Sequence, residues 1–356
     1  MNRSGGRVER VFFAARDRLG RAFCSLEEKP WAVVAVAAGA SVATGFVLAS
    51  SAGWPKVLRL IYARHAWIWL AVCLASEVVA YLGYVLTIRD MARVDDGPEM
   101  DLAVSAKTVV AGFGVFAATR SSGGFAIDYW AFRRAGAAKR DAVSRVLALG
   151  FLEYAVLSFA ALLASGALYW RLDGHAGAAV TLPSLAIVPF VLLALWATSP
   201  RRADRLRRID RRAGWWRRTF ANSVAGAYNV RAFLLNPREH GAGVVGSGLY
   251  WAGDILCLWA ALQLVGGNRI SLAALVLAYS AGYVLTRRAL PAGGAGIVEV
   301  ALTFALVGMG VRFVPALIGV LVYRLFNFWL PIVPALALMP TIRELRTRFR
   351  SAERTA

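Results

Sequence analysis

Nine long stretches of this chain are apolar, and their lengths constrain the fold more than any other feature. An α-helix rises about 1.5 Å per residue and the hydrocarbon core of a bilayer is about 30 Å thick, so a full crossing takes about 20 residues. Trp31–Ser51, Ala66–Ile88, Val146–Trp170, Val180–Ser199, Val244–Val265 and Phe313–Pro340 meet that length. Leu272–Thr286 and Ile297–Gly310 fall clearly short of it, and Leu102–Thr119 is interrupted by glycine. In hydrocarbon every backbone polar group must be satisfied internally, which leaves helices for segments of this length. The expected class is all-α: a polytopic membrane protein of about six full spans with two re-entrant helical hairpins.

Composition agrees. Hydrophobic residues are 58% and charged residues 17% of the chain, against about 45–50% and 25% in soluble domains. The net charge of +20 comes from 41 Lys and Arg against 21 Asp and Glu. In a membrane chain such an excess belongs to cytoplasmic loops and to anionic headgroups, so membrane lipids are the expected partners and nucleic acid is not. The segment 1–30 carries seven basic and four acidic side chains and no apolar run, so Trp31–Ser51 reads as a start-transfer helix and no cleaved signal is expected. Cys24, Cys73 and Cys257 are far apart in sequence and form no metal spacing. Gly241-Ala242-Gly243-Val244-Val245-Gly246 fits a dinucleotide fingerprint, but it opens a membrane span and follows no strand. No cofactor, metal or catalytic motif is therefore expected, and no enzyme activity.

The two short runs flank Arg287-Arg288-Ala289-Leu290-Pro291-Ala292-Gly293-Gly294-Ala295-Gly296. An earlier stretch, Thr119-Arg120-Ser121-Ser122-Gly123-Gly124-Phe125-Ala126-Ile127-Asp128, follows the same plan: Thr-Arg, spacer, paired glycines, a small residue, Ile, then an acid. Paired glycine-interrupted segments in two halves point to an inverted repeat. If both are re-entrant turns, six runs cross fully and both termini share one face. Placing that face in the cytoplasm puts 30 Lys and Arg inside and six outside, with Lys107, Arg120, Arg287, Arg288 and Arg324 at membrane depth. This split follows the positive-inside rule. The expected layout is a basic cytoplasmic segment (1–30), a transmembrane domain (31–340) with repeat halves near 66–199 and 244–340, a basic cytoplasmic loop (200–243) and a basic tail (341–356). The loop carries four Arg-Arg pairs around Trp215-Trp216, which reads as an interfacial anchor or an anionic-lipid contact.

Glycine turns at membrane depth expose backbone amides, and a half-helix that follows directs its positive end at the turn. Candidate turn residues are Gly123, Gly124, Pro291, Gly293, Gly294 and Gly296. Arginine supplies bidentate donors to phosphate, so Arg120, Arg287, Arg288 and Arg324 are candidate lipid-phosphate ligands; snorkelling or pairing with an internal acid is the alternative. Buried acids are costly in hydrocarbon unless paired, hydrated or protonated. Asp128, Glu153, Asp254 and Glu299 are the candidates for charge balance or proton coupling, and Glu299 at the start of its half-helix also suits the dipole.

The C-terminal block carries a resemblance. Leu290-Pro291-Ala292-Gly293-Gly294-Ala295-Gly296-Ile297-Val298-Glu299, then Gly308-Met309-Gly310-Val311, Tyr323-Arg324 and Trp329-Leu330-Pro331 resemble the membrane-region family of lysylphosphatidylglycerol synthase, whose members are also called flippase-like proteins. The first hairpin resembles the family less closely, with Gly123-Gly124 and Asp128 where a Pro and a Gly-Glu pair are common. The resemblance implies a flippase-like fold that handles lipid headgroups in the inner (plasma) membrane. The two-domain synthases add a soluble transferase domain, which is not expected within this chain. The function so implied is translocation or binding of an anionic lipid, such as a modified phospholipid or a polyprenyl-phosphate-linked sugar. Two alternatives stay open: a non-transporting membrane partner of a separate lipid-modifying transferase, and a small-solute or ion transporter. The residues fix no oligomeric state.

Overall fold

The computed structural model describes residues 38–39, 41–47, 50, 55, 66–118, 122–171, 198, 215–266, 270–284 and 294–335. Among these the structure is helical throughout. In chain order the helices are α1 (Ala66–Arg93), α2 (Leu102–Ala118), α3 (Ser122–Ala135), α4 (Lys139–Arg171), α5 (Trp215–Leu235), α6 (Pro237–Leu264), α7 (Leu272–Tyr279), α8 (Ile297–Gly308) and α9 (Phe313–Arg324). A wide π turn, Ser280–Val284, continues α7, and a second, Leu325–Trp329, continues α9 into further helix described as far as 335. Residues 41–47 are also helical.

Among the described residues four segments are long and apolar enough to cross a bilayer: Trp67–Arg93, Lys139–Trp170, Pro237–Leu264 and Phe313–Ala335. They correspond to four of the six expected spans. The other two, Trp31–Ser51 and Val180–Ser199, lie mostly outside the described residues. Between the long helices lie pairs of short ones. Helices α2 and α3, of 17 and 14 residues, pack against each other, as do α7 and α8. Helix α8, bounded by its caps Gly296 and Met309, has 12 residues; at about 1.5 Å per residue it is roughly 18 Å long, short of the hydrocarbon core. Helix α7 and its π turn are described as far as Val284. Among the described residues the order long, short, short, long occurs twice: α1–α2–α3–α4, and α6–α7–α8 followed by α9 with its continuation to 335.

The two leading helices, α1 and α6, form the most extensive pairing among the described helices, and small residues make that approach possible. A Cβ on Gly83 would stand 2.5 Å from the Gly246 carbonyl and 2.8 Å from the Tyr250 nitrogen. One on Gly253 would stand 2.5 Å from the Ser76 carbonyl. Thr87 Oγ1 donates to the Gly243 carbonyl at 3.1 Å, the Gly243 N–H donates to Asp90 Oδ2 at 2.6 Å, and Cys73 Sγ lies 3.5 Å from the Cys257 carbonyl. Contacts therefore run from 73 with 257 to 90 with 243, so α1 and α6 are antiparallel. Glycine contact of this kind lets two backbones meet in a medium that offers no hydrophobic drive between helices. The glycines of the apparent dinucleotide fingerprint, Gly243 and Gly246, serve this packing.

Three expectations are revised in detail. Gly123 and Gly124 lie in the first turn of α3, so they belong to a helix and not to the break between α2 and α3. The helix α4 starts at Lys139, ahead of its apolar run, and carries basic residues inside its first turns. There Arg145 is buried: its Nε donates to the Ala92 carbonyl at 3.1 Å and Nη2 to the Val94 carbonyl at 2.7 Å. It caps the C-terminal end of α1, where a cation suits both orphan carbonyls and the dipole. The stretch 200–243, read as a loop, is helical from Trp215, because α5 buries Ala221, Val224, Ala225, Val230 and Phe233 against the body of the protein. Asn229 Nδ2 of α5 donates to Ser144 Oγ of α4 at 3.3 Å.

Candidate functional site

The second hairpin ends in a turn set by glycine. Gly294 and Gly296 have φ of 67° and 87°, a region that side-chain-bearing residues enter only at a cost. Gly296 is the N-cap of α8 and has no side chain to satisfy the first amides. Glu299, at the third helical position, does so: its Oε2 accepts the Gly296 N–H at 2.7 Å, the return arm of a capping box. The far end of α8 is also set by glycine. Gly310, at φ 89°, lets the Val311 N–H reach the Leu306 carbonyl at 3.0 Å and its own N–H reach that of Val307 at 3.0 Å. This is a Schellman closure, and it explains the Gly-Val pair noted in the sequence.

The other oxygen of Glu299 meets the partners that matter. Oε1 accepts Ser41 Oγ at 2.9 Å and Arg324 Nε at 3.1 Å. Arg324 is 1% exposed and Glu299 0%, so this ion pair is fully withdrawn from solvent. The guanidinium carbon also lies 4.2 Å from the centroid of the Phe328 ring, an aromatic face that suits a desolvated cation.

A second buried carboxylate sits one helix away. Asp254 of α6 accepts Tyr323 Oη at 2.8 Å and Asn327 Nδ2 at 2.6 Å on Oδ1, and the Tyr279 hydroxyl on Oδ2. The π turns place these donors. Tyr279 closes α7 just before the first, Tyr323 precedes the second, and Asn327 lies inside it. Helix α9 therefore serves both acids, with Tyr323 and Asn327 turned to Asp254 and Arg324 to Glu299. Trp251 packs edge-on against Tyr279 at 5.9 Å and donates its Nε1–H to the Glu153 carbonyl of α4 at 3.1 Å.

Of the candidate residues, Arg324, Asp254, Glu299, Gly294 and Gly296 converge here. Glu153 is buried on α4 and touches the cluster through Trp251. Asp128 is buried on the other hairpin, its carboxylate 3.9 Å from the point where a Cβ on Gly112 of α2 would stand. Arg120, Arg287, Arg288, Pro291 and Gly293 lie outside the described residues. Tyr279, Asn327 and Ser41 join the site without having stood out in the sequence. Among the described residues no group of three or more His, Cys, Asp or Glu could hold a metal ion. The arrangement offers two things: a carboxylate caged by neutral donors, and an arginine beside a glycine-opened helix N-terminus, held there by a second carboxylate.

No curated protein matches the chain. The family described as lysylphosphatidylglycerol synthase TM region matches residues 31–335. That match takes in both hairpins, the two π turns and the residues of both carboxylate clusters, and the chain belongs to this family of membrane regions.

Proposed function

We propose that this protein moves an anionic lipid between the leaflets of the plasma membrane, binding its phosphate beside Arg324 at the N-terminus of α8. The carrying observation is the buried Arg324–Glu299 pair at the Gly296 cap. An arginine, a backbone amide and a helix dipole converge there, the combination that recognises phosphate. An arginine is costly to bury at membrane depth, and one held there marks a candidate functional site.

The re-entrant reading is supported by the length of α8 and by the repeated order of long and short helices among the described residues. The antiparallel run of α1 and α6 supports inversion of one half against the other, since each hairpin follows a helix of opposite direction. Charge supports cytoplasmic termini. In this reading the protein carries out no chemistry of its own. The substrate is a modified phospholipid or a polyprenyl-phosphate-linked sugar made by a separate transferase, and movement is passive or ion-coupled through Asp254.

The test is translocation in reconstituted liposomes containing fluorescent phosphatidylglycerol, with bleaching of the outer leaflet. Protein-dependent movement of phosphatidylglycerol beyond that of phosphatidylcholine is expected. Liposomes that move neither phosphatidylglycerol nor a short-chain polyprenyl phosphate would refute the reading and favour the non-transporting partner.

A further inference from the structure

Resting on that lipid reading, we propose that Glu299 is a two-position internal anion: it occupies the phosphate site at rest and is displaced by the lipid onto the hydroxyl of Thr303. The resting position is the one observed. The Glu299 carboxylate fills the place an anion would take, against the Gly296 N–H, Ser41 Oγ and Arg324 Nε. These three donors come from three separate segments, and each would serve a phosphate oxygen equally well.

The second position rests on a different observation. Thr303 is 0% exposed, and its Oγ1 has no hydrogen-bond partner among the described residues. A buried hydroxyl left unpaired is costly. Helical threonines commonly relieve that cost by donating to the carbonyl four residues back, which Thr303 does not do. It lies four residues after Glu299, so the two share a face with Cβ atoms about 5–6 Å apart. Helical side chains lean toward the N-terminus, which places the threonine hydroxyl over the turn that carries Glu299. A glutamate rotated away from the cap therefore meets a ready donor. Empty at rest, that donor makes the displaced state less costly and lets Arg324 exchange one anion for another without being left alone in the membrane.

The exchange separates two effects that usually move together. Thr303→Val keeps the shape and removes an unsatisfied hydroxyl, so stability should hold or rise. Affinity for phosphatidylglycerol should fall about tenfold, the equivalent of about 1.4 kcal/mol. Glu299→Gln removes the competing charge, and affinity should rise by about the same factor. The experiment titrates phosphatidylglycerol and phosphatidylcholine into the full chain in neutral detergent, with binding read by native mass spectrometry and stability by thermal melting. Opposite shifts in Thr303→Val, with tighter binding by Glu299→Gln, support the exchange. Unchanged affinity in Thr303→Val overturns it, and this variant decides alone if Glu299→Gln fails to fold. Equal or weaker binding by a folded Glu299→Gln, while the parent still prefers phosphatidylglycerol, also overturns the exchange and leaves the lipid reading intact. No preference for phosphatidylglycerol in the parent or any variant would remove both.

Discussion

Gly253 and Gly248 lie little more than one turn apart on α6, and the same substitution should act on them in opposite directions. A Cβ at Gly253 would stand 2.5 Å from the Ser76 carbonyl, 2.9 Å from the Ala80 nitrogen and 3.0 Å from the Ala80 Cβ. Two of these three neighbours are backbone, so no rotamer can yield. An ordinary carbon contact needs about 3.5 Å, so α1 and α6 must separate by roughly 1 Å. That movement loosens contacts along the pair, including the hydrogen bonds of Gly243 to Thr87 and Asp90 at 3.1 and 2.6 Å. Overpacking of this kind costs about 1–3 kcal/mol, offset by up to about 1 kcal/mol from replacing glycine in a helix. At Gly248 nothing lies within 4 Å of the new carbon, so only the gain remains. Gly253→Ala should lose roughly 1–2 kcal/mol while Gly248→Ala gains up to about 1 kcal/mol. Unfolding in mixed micelles titrated with sodium dodecyl sulfate, followed by tryptophan fluorescence, measures both. Variants that differ by less than about 0.5 kcal/mol would show that the backbones do not meet as described.

Three further outcomes follow from other parts of the molecule. Arg324→Met should destabilise by about 3–5 kcal/mol because Glu299 keeps a buried charge without its cation, and Arg324→Met with Glu299→Gln should recover most of that loss; the same unfolding titration, run as a double-mutant cycle, checks it. Tyr279→Phe removes a donor to Asp254 and should cost about 1–3 kcal/mol, against a change below about 0.5 kcal/mol for Tyr169→Phe on the exposed face of α4. Cysteines placed at positions 205 and 350 should escape a membrane-impermeant maleimide in intact cells and react after permeabilisation, whereas one at position 56 should react from outside; labelling of 205 and 350 but not of 56 in intact cells would reverse the charge-based orientation.

The sequence carried the class and the long helices, because hydrocarbon thickness converts directly into run length. It also marked Leu272–Thr286 and Ile297–Gly310 as shorter than the spans around them, and α8 has 12 residues. The same logic misplaced the first break: paired glycines read as a turn, yet glycine is tolerated in the first turn of a helix, and there Gly123 and Gly124 stand. Counting charges by segment treats Arg145 as one more basic residue on the cytoplasmic side, but its long side chain reaches the end of another helix, and no tally of charge contains that geometry. The Arg-Arg pairs between 200 and 218 masked the apolar face of α5, whose residues 221, 224, 225, 230 and 233 show helical spacing when read by themselves. Asp254, Glu299 and Arg324 stood out as charges in apolar runs. Their neutral donors did not, because a tyrosine or serine in an apolar stretch has many uses and only the fold decides which face it takes.

The π turn after Arg324 leaves a trace that can be read without coordinates. Ala316, Val320, Arg324, Phe328 and Ile332 are all buried, and they recur at a strict interval of four. In a regular α-helix each such step gains about 40°, so four steps would carry the last residue about 160° around the axis, most of the way to the opposite side. A wide turn accommodates one additional residue, and about 100° of that drift disappears. Arg324 and Ile332 can then look into the same interior from one continuous rod. A stripe that keeps time by fours from Ala316 to Ile332 is thus the written form of an underwound helix. In a span of this length it marks where the backbone has been let out by one residue to hold an arginine in place.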